Sequence, residues 1–539
     1  MQWNRRQVLA TAGLALSAAR VSAAATNAVA RCLVYDHQGQ PLPAEAMRRF
    51  HLCDLRMRPF TLAPKIAAGE IQFTPPAGRP FRIALPLTVP GFGEVFVYAD
   101  DRGAGYTPRS LAKAGPLVLN HAFAVDRLAT VSKLAAECAK LNITLSPELR
   151  RRIDAAKAAL DRAGAARSDR AALVRHSMDS LRESLWAGDM LVFARAQQRI
   201  ARQGARPGFL FGCNGFDMTS SAAYRQTYQA LFNYTTLPIY RGQVEPQKGH
   251  PDYSRLESLL DSLNGTTIIP KIHPLIWLEP EITPAWLKGI SYEETKQLCV
   301  SRVRESVSRF RHRVHIWDVV NEAEVQPETG RNMAASFTRE QNVDLTVAAL
   351  RAAREMDPTC FRIVNVTGTW ADYYMSDKPA PWQQSPYDYY TMLRDAKADF
   401  ETIGLQYYHS GRCLVETERD IETFQDFGKP IHITEMGFPS TVELDPKFRY
   451  GSGGAYWGGG PGGAHMVWHG DEFSEATQAE WAEQFYTVAY SNPWMQAISW
   501  WDMADPGTAI SHGALVRADG TPKESYKRLQ ALFAKWRQA

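Results

Sequence analysis

Cysteine is scarce in this chain. Its 539 residues hold seven, far apart and without a CxxC pair. That pattern offers no metal-ligand spacing, and small core residues are their expected role. Excess charge is missing as well. There are 61 basic against 57 acidic residues, a net +4, and no lysine-rich block. The balance argues against nucleic acid as a partner. After the first 25 residues no apolar run is long enough for a membrane helix. A soluble mature chain with no metal and no cofactor is expected. Its length exceeds one typical core, so two or three domains are expected.

Residues 1–25 read as an export signal outside the fold. Arg5-Arg6 precedes an apolar run, Val8 to Ala19, and small residues follow, with Ala23 or Ala25 as the cleavage position. The paired arginines resemble a twin-arginine signal, which places the protein in the periplasm or outside the cell. An ordinary secretory signal and a buried N-terminal helix are the alternatives.

Residues 28–125 carry short apolar runs between turn residues, among them CLVYD, FRIALPL, EVFVYADD and PLVLNHAF. They predict a small β-sandwich-like domain. Residues 126–205 turn to Ala, Leu, Arg, Glu and Asp at helical spacing, which predicts a helical linker of two or three helices. From 206 to 539 strand runs alternate with helical ones. The strands are FLFG, LPIYRG, TIIPKIH, VHIWDVVNE, FRIVNV, IGLQYY, PIHITE and AISWW. Eight such units predict an α/β fold, a (β/α)8 TIM barrel whose site lies at the C-terminal ends of its strands.

Two of those strands end in carboxylates. VHIWDVVNE closes on Asn321-Glu322, and PIHITE closes on Glu435. Two carboxylates across one cleft suit a retaining glycosidase, with their carboxyl groups roughly 5 Å apart. Glu322 is the candidate acid and Glu435 the candidate nucleophile. Asn321 can hydrogen-bond a sugar 2-hydroxyl. Trp277, Trp500 and Trp501 can offer faces to sugar C–H groups. Asp318 reads as a buried strand-end residue and His432 as equally structural or functional.

WDVVNEA, Trp317 to Ala323, resembles the acid/base signature of glycoside hydrolase family 10, whose typical members are endo-β-1,4-xylanases. GKPIHITE, Gly428 to Glu435, is similar to the family's nucleophile motif. WLEPEITPAWL resembles its VWHxxxPAWL stretch, with His273 four before Trp277 as in the family. EPQKGHPDYSRL, WWDMAD and LVRADGTPKESY resemble further segments. The resemblance runs from about Arg206 to the C-terminus. It implies a retaining β-glycoside hydrolase acting on a plant-wall polysaccharide or oligosaccharide, xylan first. Its further site residues would be His273, Gln406, and Tyr408 or His409.

The chain departs from that pattern in places. TELD in the family is Thr434-Glu435-Met436-Gly437 here, and QSH is Gln406-Tyr407-Tyr408-His409. The Glu-Asn and Lys at the end of the family's second strand are replaced by Thr236 to Arg241, so Tyr240 and Arg241 are expected to narrow the glycone side. The glycine-rich stretch Gly451 to Gly470 is either a surface loop or a lid bringing Tyr456, Trp457, Trp468 and His469 to the sugar. These departures point to another or decorated glycan as the alternative substrate. A non-catalytic glycan-binding barrel is the alternative from another class.

Overall fold

The structure, a computed structural model, describes residues 29–279, 282–325, 337–371, 384–408, 411–443 and 468–538. Eight parallel strands close into a barrel. In order they are Leu210–Asn214, Tyr234–Pro238, Ile269–His273, Ile316–Asn321, Phe361–Val366, Thr402–Tyr408, Ile431–Gly437 and Met495–Trp500. The eighth pairs back with the first, Ala497 beside Leu210 and Trp500 beside Cys213. Helices follow the strands, among them Tyr292–Phe310, Arg339–Met356 and Glu475–Tyr490. The chain is therefore a (β/α)8 barrel, with two further sheets before it.

The strand runs form because both of their faces are covered, which selects near-continuous apolar sequence. The second strand is the exception. It begins at Tyr234, earlier than the LPIYRG run suggests, and Arg241–Val244 is a helical turn. Its Thr235 and Thr236 are fully buried. Threonine is β-branched, so it favours the strand although it is polar.

Residues 30–118 form two sheets. One orders Lys65–Ala67, Glu70–Phe73, Ala30–Leu33 and Leu117–Val118; the other pairs His51–Asp54, Phe81–Val89 and Gly93–Ala99. PLVLNHAF, expected as a strand, yields only Leu117–Val118 before a helix runs from Leu119 to Lys140. Leu119, Ala122, Phe123, Val131, Leu134 and Cys138 are buried along that helix, so helical periodicity outweighed the local strand pattern.

Three helices follow the sheets, Leu119–Lys140, Pro147–Ala165 and Arg170–Gln203. They join the sheets and the barrel in one continuous apolar core. Asp189 accepts a backbone hydrogen bond from Val415 of the barrel at 3.2 Å. The Arg195 guanidinium, buried in that long helix, pairs with Glu418 of the barrel helix Leu414–Thr423. All seven cysteines are buried and free. Among the described residues no helix is long and apolar enough to cross a membrane.

Candidate active site

The C-terminal ends of barrel strands three to seven meet around two glutamates. Glu322 stands one residue past the fourth strand with φ of 54°. Few residues other than glycine adopt that region, and strain of this kind concentrates at functional sites. Its N–H donates to the Asn365 carbonyl at 2.9 Å. Its carboxylate accepts from Trp277 Nε1 at 3.0 Å and from Gln406 Nε2 at 2.7 Å.

Glu435 lies within the seventh strand and is buried. A register shift makes Thr434 the extra residue, so Leu405 pairs with Ile433 but Gln406 with Glu435. Such bulges re-aim side chains at barrel rims. The Glu435 carboxylate accepts from the Tyr408 hydroxyl at 2.9 Å and from Asn365 Nδ2 at 3.1 Å. His273 Nε2 stands 3.8 Å from its Oε1.

Beneath them runs a buried charged row. Lys271 Nζ lies 2.6 Å and His273 Nδ1 2.8 Å from one oxygen of Asp318. Burial pushes the Asp318 carboxyl up, but Lys271 and His273 outweigh it and hold it below its ordinary value. Burial keeps the His273 imidazole below its ordinary value despite Asp318. A neutral His273 that donates from Nδ1 leaves Nε2 as an acceptor facing the cleft. Burial, then the neighbouring Glu322, pushes the Glu435 carboxyl well above the usual carboxylate range, with Lys271 and the Tyr408 hydroxyl opposing.

Asn321 Oδ1 accepts from Asn365 Nδ2 at 2.7 Å and from Gln406 Nε2 at 3.4 Å. Its Nδ2 is buried without a partner, a donor available to a bound hydroxyl. Aromatic rings wall the site. Tyr240 stands 5.9 Å from Trp277, 6.1 Å from His273 and 6.2 Å from Phe216, and Trp501 stands 5.3 Å from His273.

The structure thus brings together Glu322, Glu435, Asn321, His273, Trp277, Gln406, Tyr408 and Trp501. His409 and residues 451–467 lie outside the described residues, Tyr456 and Trp457 among them. Three expectations need correction. Trp500 is fully buried, packs on Trp481 and donates to the Gly513 carbonyl, so its face is closed to a sugar. Neighbouring residues point to opposite sides, and Trp501 stands beside His273 and Phe216 at the site. Arg241 turns away, bonded to Glu245 and 4.8 Å above the Trp286 ring, so of the two expected residues only Tyr240 is on the glycone wall. Trp468 and His469 pack outward instead of over the site: His469 is held by Asp189 and Glu480 beside Trp186.

Asn365, Lys271 and Phe216 were missed. Asn365 had a legible signal, a carboxamide next to last in the apolar strand FRIVNV. So did Lys271, a lone cation inside TIIPKIH, since a buried charge requires a partner. Phe216 follows the first strand and carries no such mark.

The glycosyl hydrolase family 10 model matches residues 202–532. Endo-1,4-beta-xylanase B of Thermotoga neapolitana is 25% identical over 341 residues, 60% of this chain and 88% of its own length. Endo-1,4-beta-xylanase 5 of Arabidopsis thaliana is 27% identical over 127 residues, and the chain spans only 22% of its length. Xylanase 10B from Thermotoga petrophila RKU-1, solved with xylobiose, shares 18% identity, 62% of this chain, 96% of its own and a TM-score of 0.47. With more than half its length matched, the chain belongs to glycosyl hydrolase family 10 and is by that membership a hydrolase of O-glycosyl bonds.

Proposed function

We propose that this protein is a retaining β-glycosidase of the endo-1,4-β-xylanase type, acting on a plant-wall polysaccharide or oligosaccharide. The observation that carries this reading is the different setting of the two glutamates. Glu322 is held by two neutral N–H donors at the rim. Glu435 sits buried among Tyr408, Asn365 and His273.

In the first step Glu435 attacks the anomeric carbon while Glu322 gives its proton to the leaving oxygen. The glycosyl ester that forms neutralises Glu435. Glu322, now ionised, takes a proton from water, and that water breaks the ester with net retention. Asn321 Nδ2 donates to the 2-hydroxyl oxygen and so orients the sugar for attack. Tyr408 and Asn365 fix the attacking carboxylate, and His273 Nε2 accepts from a sugar hydroxyl. Trp277 and Trp501 meet the sugar faces. The Arg5-Arg6 segment supports export, to the periplasm or beyond.

Specificity follows from what the glycone side offers. Tyr240 and Phe216 present rings where the family grips sugars with charged and amide groups. A site without polar ligands loses preference for the matching hydroxyls. Weak activity is therefore expected on plain linear xylan, with higher rates on a branched, decorated or short β-linked glycan. Initial rates on linear xylan, decorated xylans, mixed-linkage glucan and aryl β-glycosides at equal mass concentration test this. Linear xylan as the best substrate by a wide margin would sink the specificity argument and leave ordinary xylanase activity.

A further inference from the structure

The sheets before the barrel reach the active-site rim through one buried cation. Arg412 follows the sixth barrel strand and is buried. Its guanidinium lies over two rings, 4.0 Å from the Phe96 ring centre and 4.5 Å from that of Trp370. Its Nε donates to the Tyr98 hydroxyl at 3.2 Å. Phe96 and Tyr98 belong to the N-terminal strand Gly93–Ala99, and Trp370 follows the fifth barrel strand. The Phe96 N–H also donates to the Gly411 carbonyl at 2.9 Å, at a glycine whose φ of 70° suits that residue. Trp370 in turn meets Tyr407 edge-on at 5.9 Å. One side chain therefore ties the tops of strands five and six to the N-terminal sheet. Those strands carry Asn365, Gln406 and Tyr408, which between them hydrogen-bond both glutamates.

We propose that Arg412, clamped by Phe96 and Trp370, is a positioning residue: through it the N-terminal sheet sets the donors that orient Glu435 and Glu322. The N-terminal layer then serves catalysis by bracing the site and need not bind glycan. This rests on the catalytic roles proposed for the two glutamates. A guanidinium over two aromatic rings, away from water, is a stiff and directional contact. Loss of the clamp loosens the Tyr408 hydroxyl from Glu435, and small misplacements of such groups are costly in rate.

The groups facing Glu435 are Glu322 and Asp318 from strand four, Lys271 and His273 from strand three, Tyr408 from strand six and Tyr240 after strand two. Of these titratable groups only Tyr408 stands on a strand that the clamp holds. The test measures full-length Arg412→Met, Arg412→Lys, Tyr408→Phe and the double variant Arg412→Met/Tyr408→Phe on an aryl β-xyloside across pH. For Arg412→Met, kcat falls about tenfold with KM nearly unchanged. Its acid limb moves to higher pH as in Tyr408→Phe, because Glu435 loses a donor to its ionised form. The double variant adds little, and Arg412→Lys recovers most of the rate. A wild-type acid limb in Arg412→Met, or additive losses in the double variant, overturns the proposal. Where Arg412→Met does not fold, Phe96→Leu is read by the same criteria. If the wild type turns over no glycoside, the proposed function fails. The inference is then judged by amide hydrogen exchange over 403–408, where unchanged exchange in the variant overturns it and faster exchange supports it.

Discussion

Glu416 and Glu435 are both buried, and their surroundings shift the two carboxyls in opposite directions. Glu416 lies on the barrel helix Leu414–Thr423, against the N-terminal layers, with Arg82 at 2.9 Å and Arg127 at 3.0 Å. Burial opposes its ionised form, but Arg419, Arg82 and Arg127 hold its carboxyl far below the usual range. Glu435 has neutral donors, a cation only at a distance and a second carboxylate as neighbour, and burial drives it up. A carboxylate boxed in by guanidinium groups is a fixed ion and a structural part. One beside another carboxylate, with no guanidinium against it, is held above its ordinary value, and shifts of this kind cluster at functional sites.

The largest effect expected is on the reactive side of this contrast. Glu435→Ala loses turnover on the order of 10^4-fold or more on every glycoside. Glu322→Ala loses about 10^2- to 10^4-fold on natural linkages but far less on aryl glycosides with good leaving groups, which need little acid assistance. Equal loss on all leaving groups in the glycosylation step would remove the acid role from Glu322.

Next comes the structural side. Arg82→Met strands part of the Glu416 charge and costs about 3 kcal/mol in chemical denaturation. Glu416 has a depressed folded pKa, so its contribution is present above the unfolded carboxylate value and disappears as pH falls through the folded one. Acid unfolding of Arg82→Met therefore begins at higher pH than in the wild type. An unchanged acid midpoint would show that Glu416 does not govern that interface.

His469 gives a third case of the same kind, smaller in size. Burial alone would lower its imidazole, but Asp189 and Glu480 raise it to about 9. Its stabilisation is complete below the unfolded value of roughly 6.5 and is lost as pH rises through about 9. His469→Gln removes that slope, read from thermal unfolding at each pH.

The smallest effect has the opposite sign. A raised folded pKa means Glu435 weakens the fold as pH rises through it. Glu435→Gln keeps the shape without the charge, so it should raise stability at neutral pH by about 1 kcal/mol while abolishing turnover. A lower Tm for Glu435→Gln would mean that the carboxylate is ionised and fully compensated in the resting protein.

Much of this was legible along the chain. The apolar runs specified the barrel strands, since a strand covered on both faces needs such a run, and HIWDVVNE and PIHITE fixed which side chains reach its rim. The positions of Asn321, Glu322 and Glu435 follow from strand ends, which are local. Other features depend on partners far away in the chain, and only the tertiary structure decided them. The bulge at Thr434 sets Glu435 beside Gln406, through pairing with a strand about thirty residues earlier. Trp500 and Trp501 are equivalent as letters, and packing against Trp481 buries the first. LVETERDIET forms a helix dense in charged residues. It is an interior one because Arg82, Arg127 and Arg195 reach it from residues more than two hundred positions upstream, and no local pattern records a charge partner at that separation.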